Sequence, residues 1–206
     1  MSAYESERRY ELANGTMSVE DEFQTVDRIL ASEAPTRCVD AFALSLIKAE
    51  RQVRKLFTHL VYQFPIFGGA DVPALRSVLI ANRQVYFRGF LRGFDALYSR
   101  SIESLVGADY ARLKARVDEA IDHRNKIFHG QLTARSLSAM DLTSLLDDTR
   151  VWCTTLAGNS AADLGYDGFG RNSFRKSTVP NLWERYRVQF GGVADYEKFV
   201  RANMER

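Results

Sequence analysis

Apolar residues recur at spacings of three and four along most of the chain, and this periodicity limits the fold more than any other feature. The longest case lies between Thr36 and Pro65, where one face of a predicted helix carries a continuous apolar stripe. Such a stripe has to be buried against other helices. Because strand-type alternation is almost absent, the sequence predicts an all-α protein. The stripe consists of Phe42, Leu46, Val53, Phe57 and Leu60.

Capping and proline signals divide the chain into helices. Ser18 and Asp21 stand at the spacing of a capping box, which predicts a first helix over residues 18–31. Thr36 is the predicted cap of the stripe helix, which ends before Pro65. Further helices are predicted over residues 73–99 with a bend, 108–128, 139–157 and 194–204.

These helices predict a bundle of four to five long helices, followed by a less regular C-terminal extension. At 206 residues the chain can bury one full core. We divide it into an N-terminal segment (1–17), a helical domain (18–162) and a C-terminal extension (163–206) that packs on the same domain. The segment 164–180, rich in glycine, arginine and aromatic residues, predicts an ordered loop within that extension.

Composition excludes several classes of function. The three histidines and two cysteines show no metal-ligand spacing, so we expect no metal and no cofactor. The N-terminus has no apolar signal region, and the most apolar stretch, 41–47, is far shorter than the ~20 residues that span a bilayer. We therefore expect a cytoplasmic protein without membrane association.

The charge distribution permits a polyanionic partner. Net charge is +2, but residues 1–35 hold eight acidic and three basic side chains, so the rest of the chain is basic. Arginine supplies 22 of the 28 cations, and its planar fork binds phosphate well. A solvated basic surface is the alternative interpretation. The candidates for RNA contact are Lys126, Arg171, Arg175 and Lys176.

The best candidate for chemistry is the end of the predicted 108–128 helix, where the run DHRNKIFHG occupies residues 122–130. Arg124, Asn125 and His129 are the residues that could act on a phosphate. Cations in a last helical turn, with Gly130 just after it, also suit a plain helix terminus. A purely structural role therefore stays open on physical grounds alone.

In letters and placement this run resembles the R-x4-H signature of the HEPN superfamily, in its Arg-Asn-x-x-x-His-Gly form. The similarity covers roughly residues 36–160, because a Gln/Thr loop and a Trp-containing helix follow the motif as they do in that superfamily. Glu50-x-x-x-Arg54-Lys55 is also similar to the E-x3-K-R element of some HEPN ribonucleases, with its two cations transposed.

The resemblance implies a HEPN-like bundle and a metal-independent endoribonuclease that uses the RNA 2′-hydroxyl as nucleophile at a composite homodimer site. At ~100° per residue on an ideal helix, Arg124 and His129 point about 140° apart, so a helix end or a second copy has to bring them together. We expect His129 to transfer protons, Arg124 to hold the phosphate and Asn125 to orient one of them.

Supporting roles are less defined. Glu50 polarises a partner residue, holds Arg124 in place or forms a surface ion pair with Arg54, and His123 is expected to be an exposed helix residue. The implied biological role is a toxin or an antiviral-defence effector with an antitoxin or defence-system partner protein. Some HEPN toxins carry a modifiable tyrosine two positions after the histidine; Gln131 stands there in this chain, so we do not expect that control.

Two other interpretations stay open. One is a non-catalytic HEPN helical module that serves dimerisation, partner binding or nucleotide binding. The other is an unrelated helical DNA-binding protein, although no helix-turn-helix signature supports it.

Overall fold

The computed structural model describes residues 18–82, 85–128, 137–170 and 172–205, which fold into helices joined by turns and loops. No β-strand occurs in these ranges, where Tyr98 and Tyr186 form only an isolated bridge. The predicted all-α class is confirmed. The helices are α1 (Val19–Leu30), α2 (Arg37–Tyr62), α3 (Val72–Ala81), α4 (Phe87–Leu97), α5 (Ile102–Val106), α6 (Tyr110–Phe128), α7 (Ala139–Leu164) and α8 (Val193–Asn203).

The first two helices begin where the sequence signals place them. The Ser18 hydroxyl accepts the Asp21 N–H at 3.2 Å and the Asp21 carboxylate accepts the Ser18 N–H at 3.3 Å, so the capping box is formed. Thr36 is the N-cap of α2, but its hydroxyl donates to the Asp40 carboxylate at 2.7 Å and caps no backbone N–H.

Helix α2 is the centre of the core. It packs against α7, α1, α4 and α6, and the predicted apolar stripe along it is buried throughout. The opposite ends of α2 therefore reach different parts of the molecule. Its N-terminal half contacts α1 and α6, and its C-terminal half contacts the segment that follows α7.

Two predicted boundaries differ from the structure. The 73–99 stretch forms two helices, because the backbone leaves the helical region at Asn82, whose side-chain amide donates to the Val78 carbonyl at 2.7 Å. Helix α7 continues past residue 157 to Leu164 and ends at Gly165, with φ +68°. Burial of Ser160 and Leu164 and a 2.7 Å bond from Asn159 to the Leu105 carbonyl favour this longer helix, despite its poor helix formers.

The C-terminal extension packs closely on α2. Gln52 donates to the Asp167 carbonyl at 3.2 Å, and Gln63 donates to the Arg175 carbonyl at 3.0 Å. At Gly168, with φ +86°, an added Cβ would lie 2.7 Å from the Gln52 Cγ, so only glycine allows this approach. The loop is therefore held by buried side chains of the central helix.

Asp163, near the end of α7, joins the extension to the bundle. Its carboxylate accepts from the Tyr98 hydroxyl at 3.0 Å, from Arg100 at 3.3 Å and from Arg185 at 2.7 Å, and its side chain is 9% exposed. Burial alone would raise its pKa, but the hydrogen bonds from Arg185 and Tyr98 outweigh burial and hold the pKa below the usual range.

We expect Asp163→Asn to lower the free energy of unfolding by about 1–3 kcal/mol at pH 7, because it removes a charge-assisted acceptor from three donors. A carboxylate whose pKa is lowered by folding stabilises the fold above its unfolded pKa of about 4, and this stabilisation is lost as pH falls through the folded value. Urea unfolding at pH 7 and pH 3 should show the difference from wild type shrinking at the lower pH. Asp109→Asn, at a carboxylate that is 66% exposed, is the control. An equal difference at both pH values would contradict this assignment.

Candidate functional site

The motif helix α6 is fixed by ion pairs to its neighbours. Arg112 and Arg116 both bind Asp148 of α7, at 2.7 and 2.8 Å. Arg88 of α4 binds Asp118 at 2.9 Å on another side of the same helix. These contacts set the rotation of α6 and therefore the directions in which its last residues point.

Arg124 lies on the buried face of α6. That face carries Leu113, Val117 and Ala120, all fully buried, and Arg124 follows Ala120 by four residues, so it continues the same row. An apolar residue would be the ordinary choice at such a position. The Arg124 side chain is accordingly only 17% exposed.

Two residues hold the Arg124 guanidinium. Its Nη1 donates to the Glu50 Oε2 of α2 at 3.1 Å, while its Nη2 and Nε donate to the Asn125 Oδ1 at 3.0 and 3.3 Å. These bonds use three of the five N–H groups of the arginine. Within the described ranges the other two N–H groups, one on each terminal nitrogen, have no partner and are free to meet an anion.

The structure shows which arginine Glu50 contacts. Its carboxylate pairs with Arg124 and is 30% exposed. Arg54, one helical turn further along α2, is exposed and has no ion pair with any residue that the structure describes. Glu50 therefore holds Arg124, and Arg54 stays available.

The expectation that His123 is exposed is wrong. Its side chain is 12% exposed, with Nε2 at 3.5 Å from the Glu119 Oε1. Its Nδ1 is buried and has no hydrogen-bond partner among the residues described. The physical reason is helical spacing, since position 123 follows the buried Ala120 by three residues and so adjoins the buried face of α6.

His129 and Arg171 lie outside the described residues, so their roles stay predictions, and so does that of Lys126, a half-buried residue of the last turn of α6. Arg175 is exposed. The Lys176 ammonium donates to the Tyr62 and Phe64 carbonyls at 2.6 and 2.9 Å, and burial lowers its pKa. Lys176 thus anchors the extension to the end of α2, and its contact with RNA stays a prediction.

The described ranges contain no group of three or more histidine, cysteine or acidic residues that could hold a metal ion. Over the same ranges, no helix has the length and apolar character needed to cross a membrane. Comparison of the chain with protein-family models, curated proteins and solved structures finds no match. The resemblance to HEPN proteins therefore rests on the motif and the helices of this chain.

A basic pocket beside the motif was not predicted. Arg51, Arg54 and Lys55 of α2 line it together with Arg76 of α3. The spacing of the first three residues places them on one face of a helix and could have been noticed in the sequence. The contribution of Arg76 could not, because only tertiary packing brings α3 beside α2.

If Arg124 stands at a core position for function, its ion pair should add little net stability. We expect Glu50→Gln to lower the free energy of unfolding by about 1–2 kcal/mol, because a mostly buried guanidinium loses its carboxylate. Arg124→Met should cost less, since Glu50 remains partly solvated. The double variant should unfold at or near the wild-type free energy in urea titrations.

A matched control for this cycle is Glu197→Gln on α8, whose carboxylate is 40% exposed and pairs with Arg201. It should change the free energy of unfolding by less than about 0.5 kcal/mol. A double variant as unstable as Glu50→Gln would mean that the pair itself contributes net stability.

Proposed function

We propose that the protein is a metal-independent endoribonuclease that cleaves RNA by attack of a 2′-hydroxyl on the adjacent phosphate. The observation that carries this proposal is the guanidinium of Arg124, which Glu50 and Asn125 hold at a core-type position with two N–H groups unused. Asn125 and His129 complete the proposed site, as the resemblance to R-x4-H ribonucleases implies.

A burial argument supports a functional role for Arg124. Placing a charge on the buried face of a helix costs desolvation free energy, and an apolar residue of similar volume often stabilises as well or better. The neighbouring Arg116 is different, because two carboxylates, Asp148 and Glu119, surround it. Among the described residues, Arg124 contacts one carboxylate and one neutral amide, so it has fewer anionic partners than Arg116 although it is more buried. Such a guanidinium suits a phosphate as a further partner.

The chemistry assigns a role to each residue. Cleavage needs a base for the 2′-hydroxyl, an acid for the departing 5′-oxygen, and positive charge on the pentacovalent transition state. Histidine titrates near pH 6.5, so His129 suits either proton transfer. Arginine stays protonated, so Arg124 is the electrostatic group, and Asn125 orients its guanidinium.

We further propose that two copies of the chain form one active site. The motif of one chain supplies a single histidine, whereas the reaction has two proton-transfer roles. His123, the other histidine of the motif segment, is mostly buried beside Glu119 and does not fill the second role. A two-fold interface would supply the second motif without any further element. The role of a toxin or antiviral-defence effector, with a partner protein that restrains it, follows from the resemblance.

The test is cleavage of end-labelled RNA in EDTA by wild type, Arg124→Ala, Asn125→Ala and His129→Ala. We expect the arginine and histidine variants to lose about 100-fold or more in rate, because each removes a transition-state or proton-transfer contribution. Wild-type products should end in 2′,3′-cyclic phosphates. Arg201→Ala is the matched control, because that arginine is 63% exposed on α8 and pairs with Glu197 of the same helix.

Glu50→Gln separates positioning from direct catalysis. It should lower the rate by about 10-fold through a misplaced guanidinium, with a smaller effect on KM than on kcat. Folded His129→Ala protein that cleaves as fast as wild type would exclude the proposed mechanism. Failure of all proteins to cleave would favour the non-catalytic helical module.

The composite site has its own test. Wild-type and His129→Ala chains, co-expressed and purified as mixed dimers, contain one histidine instead of the two that the composite site needs. Such dimers should cleave RNA about 100-fold or more slowly than wild type, because one proton-transfer role is unfilled. Mixed dimers that retain about half of the wild-type rate would place a complete site on each chain.

The competing non-catalytic role also has a structural argument. Arg112 and Arg116 tie α6 to α7, and Arg124 ties α6 to α2 by the same kind of contact. If that tie is all that Arg124 provides, Arg124→Ala destabilises the fold and no cleavage activity exists to be lost. The stability cycle and the RNA assay therefore discriminate between the two roles.

A further inference from the structure

A cavity of about 370 Å³ lies between the middle of α2, helix α3 and the C-terminal loop. This volume falls within the range of pockets for small ligands. The cavity does not include Arg124, Asn125 or Glu50. Arg54, which lines the cavity, follows Glu50 by one helical turn. The cavity therefore lies beside the proposed active site.

The charged residues that line this cavity are all cations. Arg51, Arg54 and Lys55 come from α2 and Arg76 comes from α3. Packing like charges together is unfavourable unless an anion lies among them. Burial and the neighbouring Arg51 lower the pKa of Lys55, although the Glu22 and Asp167 carboxylates partly oppose this.

Two of these cations have no carboxylate partner within the described ranges, which indicates where an anion would bind. Arg51 lies 3.7 Å from the Glu22 carboxylate, and the Lys55 ammonium donates to the Phe169 carbonyl. Arg54 and Arg76 are exposed, and neither has a carboxylate partner among the residues that the structure describes. The Arg76 guanidinium lies 5.1 Å from the centre of the Phe174 ring, and this cation–π contact holds the side chain in place.

The rest of the lining is apolar, with a small polar floor. Leu79 and Ile80 of α3 face the cavity together with Phe174, and Ile80 is 72% exposed although it is large and apolar. The floor is a buried hydrogen bond of 2.9 Å between the hydroxyls of Thr58 and Ser173. An inorganic anion would use the cations and leave the apolar wall uncovered.

We propose that this pocket binds a small organic phosphate. Arg54 and Arg76 hold its phosphate groups through forked hydrogen bonds, and its apolar or aromatic portion covers Leu79, Ile80 and Phe174. The site is separate from the RNA-cleaving residues. Binding can therefore fail while cleavage succeeds, and the reverse.

The test is isothermal titration of the full-length protein in EDTA at moderate salt. Adenosine triphosphate and geranyl diphosphate represent aromatic and aliphatic organic phosphates, pyrophosphate represents charge alone, and adenosine represents the uncharged portion alone. At least one organic phosphate should bind about 10-fold more tightly than pyrophosphate, because it also covers the apolar wall. Adenosine should not bind measurably.

Three variants assign the binding to this pocket. Arg54→Ala and Arg76→Ala should each weaken organic phosphate by about 10-fold or more, and Arg54→Lys should lose less. Ile80→Ser should weaken the organic phosphate more than pyrophosphate. Arg112→Ala removes an exposed arginine elsewhere and should change the Kd by less than about twofold. His129→Ala should bind like wild type.

Several outcomes would overturn the proposal. One is that neither organic phosphate binds with a Kd below about 1 mM. Another is that folded Arg54→Ala and Arg76→Ala proteins bind as wild type does. The third uses a fluorescent single-stranded RNA and His129→Ala protein, which removes the proposed proton-transfer residue. If the RNA binds through Arg54 and Arg76 while the small probes do not bind, the pocket belongs to an RNA surface.

Discussion

Burial of α2 is the constraint on which the rest of the molecule depends. The apolar stripe from Phe42 to Leu60 is almost inaccessible to solvent, so the rotation of this helix is fixed along its length. Because burial of the stripe fixes the rotation of α2, it also fixes the directions in which the other side chains of α2 leave the helix. Glu50 reaches α6, and Arg51, Arg54 and Lys55 line the adjoining cavity. Both proposed sites therefore depend on how α2 packs, and a change in the rotation of α2 would disrupt both.

The buried polar residues of α2 explain how the C-terminal extension is held against the helical bundle. Gln52, Thr58, His59 and Gln63 are all buried, and buried polar groups need partners. The loop supplies several, since Gln52 donates to the Asp167 carbonyl and the Gln63 Oε1 accepts the Ser177 N–H at 2.7 Å. The loop in turn has few regular hydrogen bonds of its own. These bonds satisfy most of the buried polar groups of α2, although the Gln52 Oε1 has no partner among the described residues, and residues of the extension and the bundle share one core.

The sequence predicts those features that local signals determine. The capping box at Ser18 and the buried stripe of α2 follow from spacing and from the residues at helix ends, whereas the end of α3 near residue 82 was not predicted within the 73–99 stretch. Features that depend on tertiary contacts could not be predicted. The last turns of α7 form against α5 although their residues favour a stop, and His123 is buried because of how α6 is rotated. At the candidate site, the sequence pointed to Arg124 and Asn125 as candidates. Only tertiary packing could show that Glu50 pairs with Arg124 and not with Arg54.

The contrast between two arginines of α6 shows why residue type alone does not identify a functional group. Arg116 donates from Nε to Asp148, from Nη1 to Glu119 and from Nη2 to the Ser144 hydroxyl, so it contacts two carboxylates, one of which it shares with Arg112. Arg124 is less exposed, at 17% against 29%, yet among the described residues it contacts one carboxylate and a neutral amide that takes two of its bonds. A structural arginine should become better compensated as it becomes more buried, because desolvation raises the cost of its charge. Arg124 departs from that rule, because it is more buried than Arg116 and contacts fewer carboxylates among the described residues. This departure is the basis of the proposal that it binds an anion from outside the chain.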